Sequence, residues 1–241
     1  MEIDLAFSPD EVEKKDLRGK TVVVIDVLRA TSTMIVAFEN GCAAFIPVGT
    51  IEEARALVAQ KKDPDLLLGG ERGAKPVAGF HCGNSPRDYS PERVKGKTVV
   101  MTTTNGTRTL VATRSGSGIF IGAFLNLSAL AARLIESHRD VLIACSGEKG
   151  VFCLDDTVCA GALIARLEER GVPLRLREAS QAARILFDRY GRDILGSLRN
   201  CEWGQQLEKL GLGEDIPICA QLDCSHLVPV FAGGRIFLDR P

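Results

Sequence analysis

The run Thr21-Val22-Val23-Val24-Ile25 stops on an acid and opens into Asp26-Val27-Leu28-Arg29-Ala30-Thr31-Ser32-Thr33. An unbroken β-branched run predicts a strand buried on both faces, because a half-exposed strand alternates apolar with polar residues. The hydroxyls of Thr31, Ser32 and Thr33 suit the start of a helix predicted over residues 33–40, and a helix start presents free N–H groups and a positive dipole end. Strand, acid, arginine and capped helix together describe the C-terminal edge of a parallel strand, where α/β proteins place ligands. A second reading makes Asp26 a plain loop acid paired with Arg29, and this stretch alone fits both.

Outward from it, the alternation of strand and helix continues. Residues 3–7 read as a first strand, followed by a polar, helix-compatible connection over 11–17. Gly41 closes the helix at 33–40, a strand is predicted over 43–48, and Thr50-Ile51-Glu52-Glu53 is a capping box opening a helix to about 61. Residues 66–70 form the next strand and end on Glu71; residues 71–92 lose periodicity, and a loop that long inside a compact domain is usually functional or disordered. Strands at 98–102, 118–121 and 141–144 alternate with a helix carrying Leu110 and Val111 and with helices at 127–137 and 156–170. Beyond Gly171 helical stretches at 180–190, 191–199 and 201–210 follow with no strand between them, and residues 228–238 read as a small hairpin. The expectation is an α/β fold: a mostly parallel sheet with flanking helices over 1–170, and a smaller helix-rich portion, 171–241, packed on it or forming a lesser domain.

Composition excludes several classes. The 241 residues carry 30 basic and 31 acidic side chains, a formal net charge of -1, and only 5% aromatics. That balance argues against nucleic acid as a partner. No apolar run approaches the ~20 residues that span a bilayer, and the N-terminus lacks a signal-peptide pattern, so no membrane partner and a cytoplasmic location are expected. The eight cysteines are scattered without a C-x-x-C pair, which fits reduced, buried thiols rather than a zinc site or a disulfide framework.

Four strands end in polar turns: Asp26-Val27-Leu28-Arg29, Glu71-Arg72-Gly73, Thr103-Thr104-Asn105-Gly106-Thr107 and Cys145-Ser146-Gly147. Parallel strands would bring all four to one edge of the sheet. Carboxylates at 26, 71, 155 and 156 suit a hard cation, Arg29 and Arg72 suit oxyanions, and the hydroxyls and helix starts supply donors. Asp155 and Asp156 also fit as first-turn acids favouring a helix dipole. Gly69-Gly70-Glu71-Arg72-Gly73-Ala74-Lys75 is not a P-loop, and no G-x-G-x-x-G follows the first strand. His81-Cys82-Gly83-Asn84-Ser85-Pro86-Arg87 imitates a thiolate phosphate loop, but its spacing is one residue short of the cysteine-dependent phosphatases and no helix pattern follows to acidify the thiol.

In this order, Asp26 through Thr33, Gly70-Glu71-Arg72, Gly83-Asn84-Ser85-Pro86, Thr103 through Thr107, Cys145-Ser146-Gly147, and Asp156 through Cys159-Ala160-Gly161 resemble the 2-phosphosulfolactate phosphatase family. The resemblance runs from about residue 2 to Val228-Pro229. It implies an Mg²⁺-dependent hydrolase that removes phosphate from 2-phospho-3-sulfolactate, a step toward coenzyme M. With the residue types above it implies Mg²⁺ held by Asp26, Glu71 and Asp156, catalytic roles for Asp26, Arg29, Arg72 and Asn105, and substrate contacts from Thr31, Ser32, Asn84, Ser85, Gly106, Thr107, Ser146 and Gly147. Attack by a metal-activated water is preferred to a covalent intermediate. The substrate is a small polyanionic phosphate ester, and a homodimer is expected. Two alternatives stay open: a phosphatase for another small 2-hydroxy-acid phosphate, and a non-catalytic anion-binding domain. Asp223 reads as a loop acid.

Overall fold

The β-branched run forms a strand buried at every position. The structure, a computed structural model, describes residues 1–239; the last two residues of the portion 171–241 lie outside the described residues. The strands are β1 (Glu2–Ala6), β2 (Thr21–Ile25), β3 (Ala44–Pro47), β4 (Leu66–Arg72), β5 (Lys75–Pro76), β6 (Thr98–Thr102), β7 (Gly118–Gly122), β8 (Val141–Cys145), β9 (Arg175–Leu176), β10 (Pro229–Ala232) and β11 (Arg235–Leu238). The helices are α1 (Pro9–Val12), α2 (Ala30–Glu39), α3 (Ile51–Lys61), α4 (Pro91–Val94), α5 (Gly106–Ala112), α6 (Leu127–Ser137), α7 (Leu154–Glu169), α8 (Glu178–Tyr190), α9 (Ile194–Asn200), α10 (Glu202–Lys209) and α11 (Ile216–Cys219).

All eleven strands join one sheet in the order β5-β4-β6-β3-β11-β10-β7-β2-β8-β1-β9. It contains two parallel blocks, β4-β6-β3 and β7-β2-β8-β1-β9. Hairpin β10–β11 stands between them, antiparallel to both neighbours, so the two blocks run in opposite directions. Each joint is narrow: Val230 opposite Phe120 on one side, Ile236 opposite Phe45 on the other. The mostly parallel sheet agrees with expectation; the reversal at its centre was not expected, because a four-residue hairpin strand carries no sign of which strands it separates.

Alternation along β2 divides the core into two layers. Val23 and Ile25 join Ile3, Leu5 and Ile143 under α6 and α7, through Leu130, Leu134, Leu163 and Leu167. Val22 and Val24 join Leu142 and Ile121 on the other face, against Met34 and Phe38 of α2, Phe45, Val99 and Ile236. Burying both faces makes β2 the middle of a three-layer sandwich.

Local chemistry explains the element ends. Helix α2 begins at Ala30, three residues before the expected start, because the Asp26 carboxylate itself accepts the Ala30 N–H at 3.1 Å. In α3 the Thr50 hydroxyl accepts the Glu53 N–H, while Glu53 reaches back to the Gly49 N–H, a capping box displaced by one residue. The stretch 71–92 holds β5, a 3-10 turn at Pro86–Asp88 and the start of α4, and the strand-free tail contains the two-residue edge strand β9.

Because Ile236 is fully buried at the joint between the blocks, Ile236→Ala should cost about 2–5 kcal/mol. Leu222→Ala, at a position 44% exposed, should stay within about 0.5 kcal/mol. Urea titration of both variants checks this, and equal midpoints would contradict it.

Candidate active site

The polar turns after β2, β4, β6 and β8 meet. Opposed blocks in a flat sheet would send two of them to the far edge, so the sheet is not flat between β6 and β2. Contacts across the gap are direct. Asn105 donates to Glu148 Oε2 at 2.8 Å, the Thr109 hydroxyl donates to Ser146 Oγ at 3.0 Å, and Gly106 lies against Asp26. A β-carbon at Gly106 would stand 2.8 Å from Asp26 Oδ2, so the approach requires glycine there.

Asp26 accepts the Ala30 N–H through Oδ1. Burial pushes its carboxyl up to about 7, with the Ala30 hydrogen bond opposing and the charges of Asp155, Glu71 and Glu148 adding to the rise. The neighbouring hydroxyls face inward: Thr31 Oγ1 accepts the Asp26 N–H and donates to Asp26 O, Ser32 donates to Val27 O, and Thr33 donates to Asn84 O. Thr31 and Ser32 are therefore committed to backbone partners.

Two acids act as joints. Asp156 Oδ1 accepts the Val27 N–H at 2.8 Å, and Oδ2 accepts those of Ser146 and Gly147 at 3.0 and 3.1 Å. This carboxylate ties the turn after β2 to the turn after β8. Glu71 does the same for β4 and β6: Oε2 accepts the Ala74 N–H, and Oε1 accepts the N–H and hydroxyl of Thr104. A carboxylate offers about four lone-pair sites, so each of these two has about one left. Ser146 and Gly147 spend their amides on Asp156, and Gly147 also takes the positive φ of 60° that the tight turn needs.

Asp155 is different. It is 5% exposed and its Oδ1 has no hydrogen-bond partner among the described residues. Cys153, Asp155 and Asp156 offer ligand atoms all within 4.8 Å of one another. Burial, followed by neighbouring acid charge, raises the Cys153 thiol well above its ordinary range, so it stays protonated and leaves a hard cation to the oxygens. Burial also raises Asp155, opposed by hydrogen bonds from Cys153 and the start of α7; it raises Asp156 well above the carboxylate range, reinforced by Asp155 and Asp26. With Glu148 at the rim, the donor set is rich in oxygen, and Asp26, Asp155 and Asp156 hold protons more firmly than free carboxyls do because burial and neighbouring acids oppose their ionisation. An orphaned, buried carboxylate oxygen beside the half-free Asp26 fits a divalent metal.

The arginines are anchored. Arg29 is 2% exposed; its guanidinium contacts Asp215 Oδ2 at 2.6 Å and Ala74 O at 2.8 Å. Asp215 also accepts the Ser85 hydroxyl. Arg72 donates to Glu71 O and to Thr102 O and Oγ1. Thr107 exchanges hydrogen bonds with Thr103. Burial pushes the Cys82 thiol up, with Arg93 opposing, and the thiol points to Asp88 O at 3.8 Å, so the net environment favours the protonated form.

A family model described as 2-phosphosulpholactate phosphatase matches residues 6–234. A Clostridium acetobutylicum protein named probable 2-phosphosulfolactate phosphatase is 39% identical over 236 residues, covering 98% of this chain and 100% of its own. The chain belongs to the 2-phosphosulfolactate phosphatase family. Symbiobacterium thermophilum and Clostridium novyi relatives of the same name are each 39% identical, over 93% and 98% of this chain and 96% and 99% of their own. Among the described residues no helix is long and apolar enough to cross a membrane.

In this family member the structure brings Asp26, Glu71, Asn105, Gly106, Ser146, Gly147 and Asp156 to one place, and sets Arg29, Asn84 and Ser85 on its flank. Asp223 lies apart, capping α6 through Ser128 and pairing with Arg166. Glu148 and Asp215 were not singled out in the sequence. Glu148 sits in a strand-end turn and was findable as one more acid there; Asp215 meets Arg29 across 186 positions of chain with no local signal.

The raised carboxyls make a signed prediction. Unfolded carboxyls near pH 4 lose their protons before the folded Asp26 does, so this contribution favours folding at low pH and is lost as pH rises toward about 7. In chelator, the melting temperature should fall from about pH 5 to about pH 8, and Asp26→Asn should flatten the slope. A wild-type curve that rises over that interval would contradict the burial of uncompensated charge.

Proposed function

We propose that the chain hydrolyses 2-phospho-3-sulfolactate to 3-sulfolactate and phosphate with Mg²⁺ as its cation. The observation that carries this reading is the cluster of buried carboxyls Asp26, Asp155 and Asp156, with an unpaired Asp155 Oδ1 and the half-buried Glu148 at its rim, in a chain of this family. A cation would displace the protons these acids hold, and a phosphate ester would enter beside the ionised cluster only with that cation in place. A non-catalytic anion-binding domain would instead gather donors without converging acids.

Asp26 and Asp155 would hold the cation, with the remaining lone pairs of Asp156 and Glu71 within the same cluster. When bound, it supplies positive charge to the phosphoryl oxygens and acidity to an attacking water. The chain's own residues do the rest. Asp156 and Glu71 keep the four turns at fixed separation, and Asn105 holds Glu148 at the rim. Arg72, braced on Thr102, offers charge to an equatorial phosphoryl oxygen. We extend the reading to a cytoplasmic homodimer on a route toward coenzyme M; the scattered cysteines, without a disulfide-like or C-x-x-C pattern, support a reducing compartment.

Phosphate release from 2-phospho-3-sulfolactate should require Mg²⁺ and stop in chelator. Asp155→Asn should lose most activity, and Arg72→Ala should lose about 2–5 kcal/mol of transition-state stabilisation, partly restored by Lys. Cys82→Ser should stay active. Chelator-resistant turnover, or an inert Cys82→Ser with active Asp155→Asn, would overturn the metal reading in favour of a thiolate.

A further inference from the structure

The sheet has a second opening, at the end away from the carboxylates. Strand β7 pairs with β2 at all five of its positions but with β10 at one, Phe120 opposite Val230. Gly118 and Ala232 hold the next matching positions along these antiparallel strands and do not pair, so the strands part there. A cleft of about 690 Å³ fills the gap, between the connection from α5 to β7 and the β10–β11 turn. Volumes of about 300–1,000 Å³ are those of small-molecule sites. Because Gly118 lies opposite Thr21, at the start of β2, the cleft is a strand's length from the Asp26 turn, roughly 13 Å.

Its lining is the reverse of the catalytic cluster in charge. Among the described residues it carries the Arg114 guanidinium and no acid. Arg139 donates to Ser117 O at 3.1 Å, which adds a second positive charge beside the same wall. The Ser117 hydroxyl oxygen accepts the Gly19 N–H, leaving its hydrogen free to donate. Gly116 N–H on Thr113 O and Ser117 N–H on Lys20 O fix the connection, so these donors are in place before a ligand arrives. The floor is the edge of the core, where Ile119 and Phe231 reach the cleft while only 5% and 4% exposed. The glycines at 118, 233 and 234 put no side chain between a ligand and the main chain, where the missing rungs leave polar groups without a ladder partner.

We propose that this cleft is a binding site, separate from the catalytic one, for a small amphiphilic anion: an apolar ring system seated on Ile119 and Phe231, with a sulfonate, phosphate or carboxylate on Arg114 and the Ser117 hydroxyl. Each half of the lining asks for one half of such a ligand. An inorganic anion would leave most of the roughly 690 Å³ to water. A neutral apolar molecule would leave the Arg114 charge without a counterpart. The site does not depend on the phosphatase reading, since none of its residues belongs to the catalytic cluster.

The test uses two fluorescent probes on the folded full-length chain. 1-Anilinonaphthalene-8-sulfonate joins an apolar ring system to one sulfonate and brightens when shielded from water; N-phenyl-1-naphthylamine is its uncharged counterpart. Wild type should bind the sulfonate saturably and at least about tenfold more tightly than the amine. Arg114→Glu, at an exposed position, should weaken the sulfonate at least about tenfold and leave the amine within about twofold. Arg114→Gln should weaken it by a smaller factor, and raising NaCl from about 0.05 M to about 0.5 M should weaken it in wild type. Circular dichroism checks the fold. Absence of saturable binding, equal affinity for the two probes, or an unchanged sulfonate affinity in Arg114→Glu overturns the site. Sulfonate binding lost in Asp155→Asn and kept in Arg114→Glu would put the probe in the catalytic cluster and overturn it as well. Should neither Arg114 variant fold, the comparison of the two probes on wild type decides.

Discussion

Like charges buried together set the terms for this molecule. Asp26, Asp155 and Asp156 are each less than a tenth exposed, and each is raised by burial with neighbouring acids adding to it. Isolated ionised carboxyls in such a place would take a proton or open the fold. Here two acids of the cluster also carry the joints between turns: Asp156 holds three backbone N–H groups from two strand ends, and Glu71 two more with a hydroxyl. Replacing these side chains by apolar ones would remove the joints. The arrangement therefore keeps its acids together, and the proposed cation would compensate them and admit the proposed polyanionic substrate.

The sheet delivers these groups by an indirect route. Two parallel blocks of opposite direction would place their C-terminal turns on opposite edges, and a hairpin from the end of the chain separates the blocks in the middle of the sheet. The edges nevertheless meet, through Asn105 on Glu148 and Thr109 on Ser146. The C-terminal portion also contributes to the flank of the site through Asp215, which meets Arg29. Residues far beyond the β2 turn thus govern what the β2 turn can present to a ligand.

Much of this was legible in the sequence, for physical reasons that also mark where legibility ends. A β-branched run ending on an acid reports burial on both faces and a turn at a sheet edge, and β2 with Asp26 is that element. Helix starts were less legible: the hydroxyls at 31–33 resembled caps, whereas the Asp26 carboxylate takes that role from four residues upstream of Ala30. The acids at 26, 71, 155 and 156 were visible as residue types, but their division into joints and free oxygens depends on which backbone amides face them. Sequence spacing carries no record of that. The Arg29–Asp215 pair and the reversal at β10–β11 depend on contacts between distant segments, and nothing local encodes either.

Proton release on cation binding tests the central claim most directly. Calorimetric titration of Mg²⁺ into the substrate-free protein, in buffers of different ionisation enthalpy, counts protons displaced per bound ion. A cluster with carboxyls raised toward neutrality should release about one proton or more near pH 6 and progressively fewer near pH 8, and Asp155→Asn should weaken binding. Binding that releases no protons at pH 6, or that is indifferent to Asp155→Asn, would contradict a cation held by this buried carboxylate cluster.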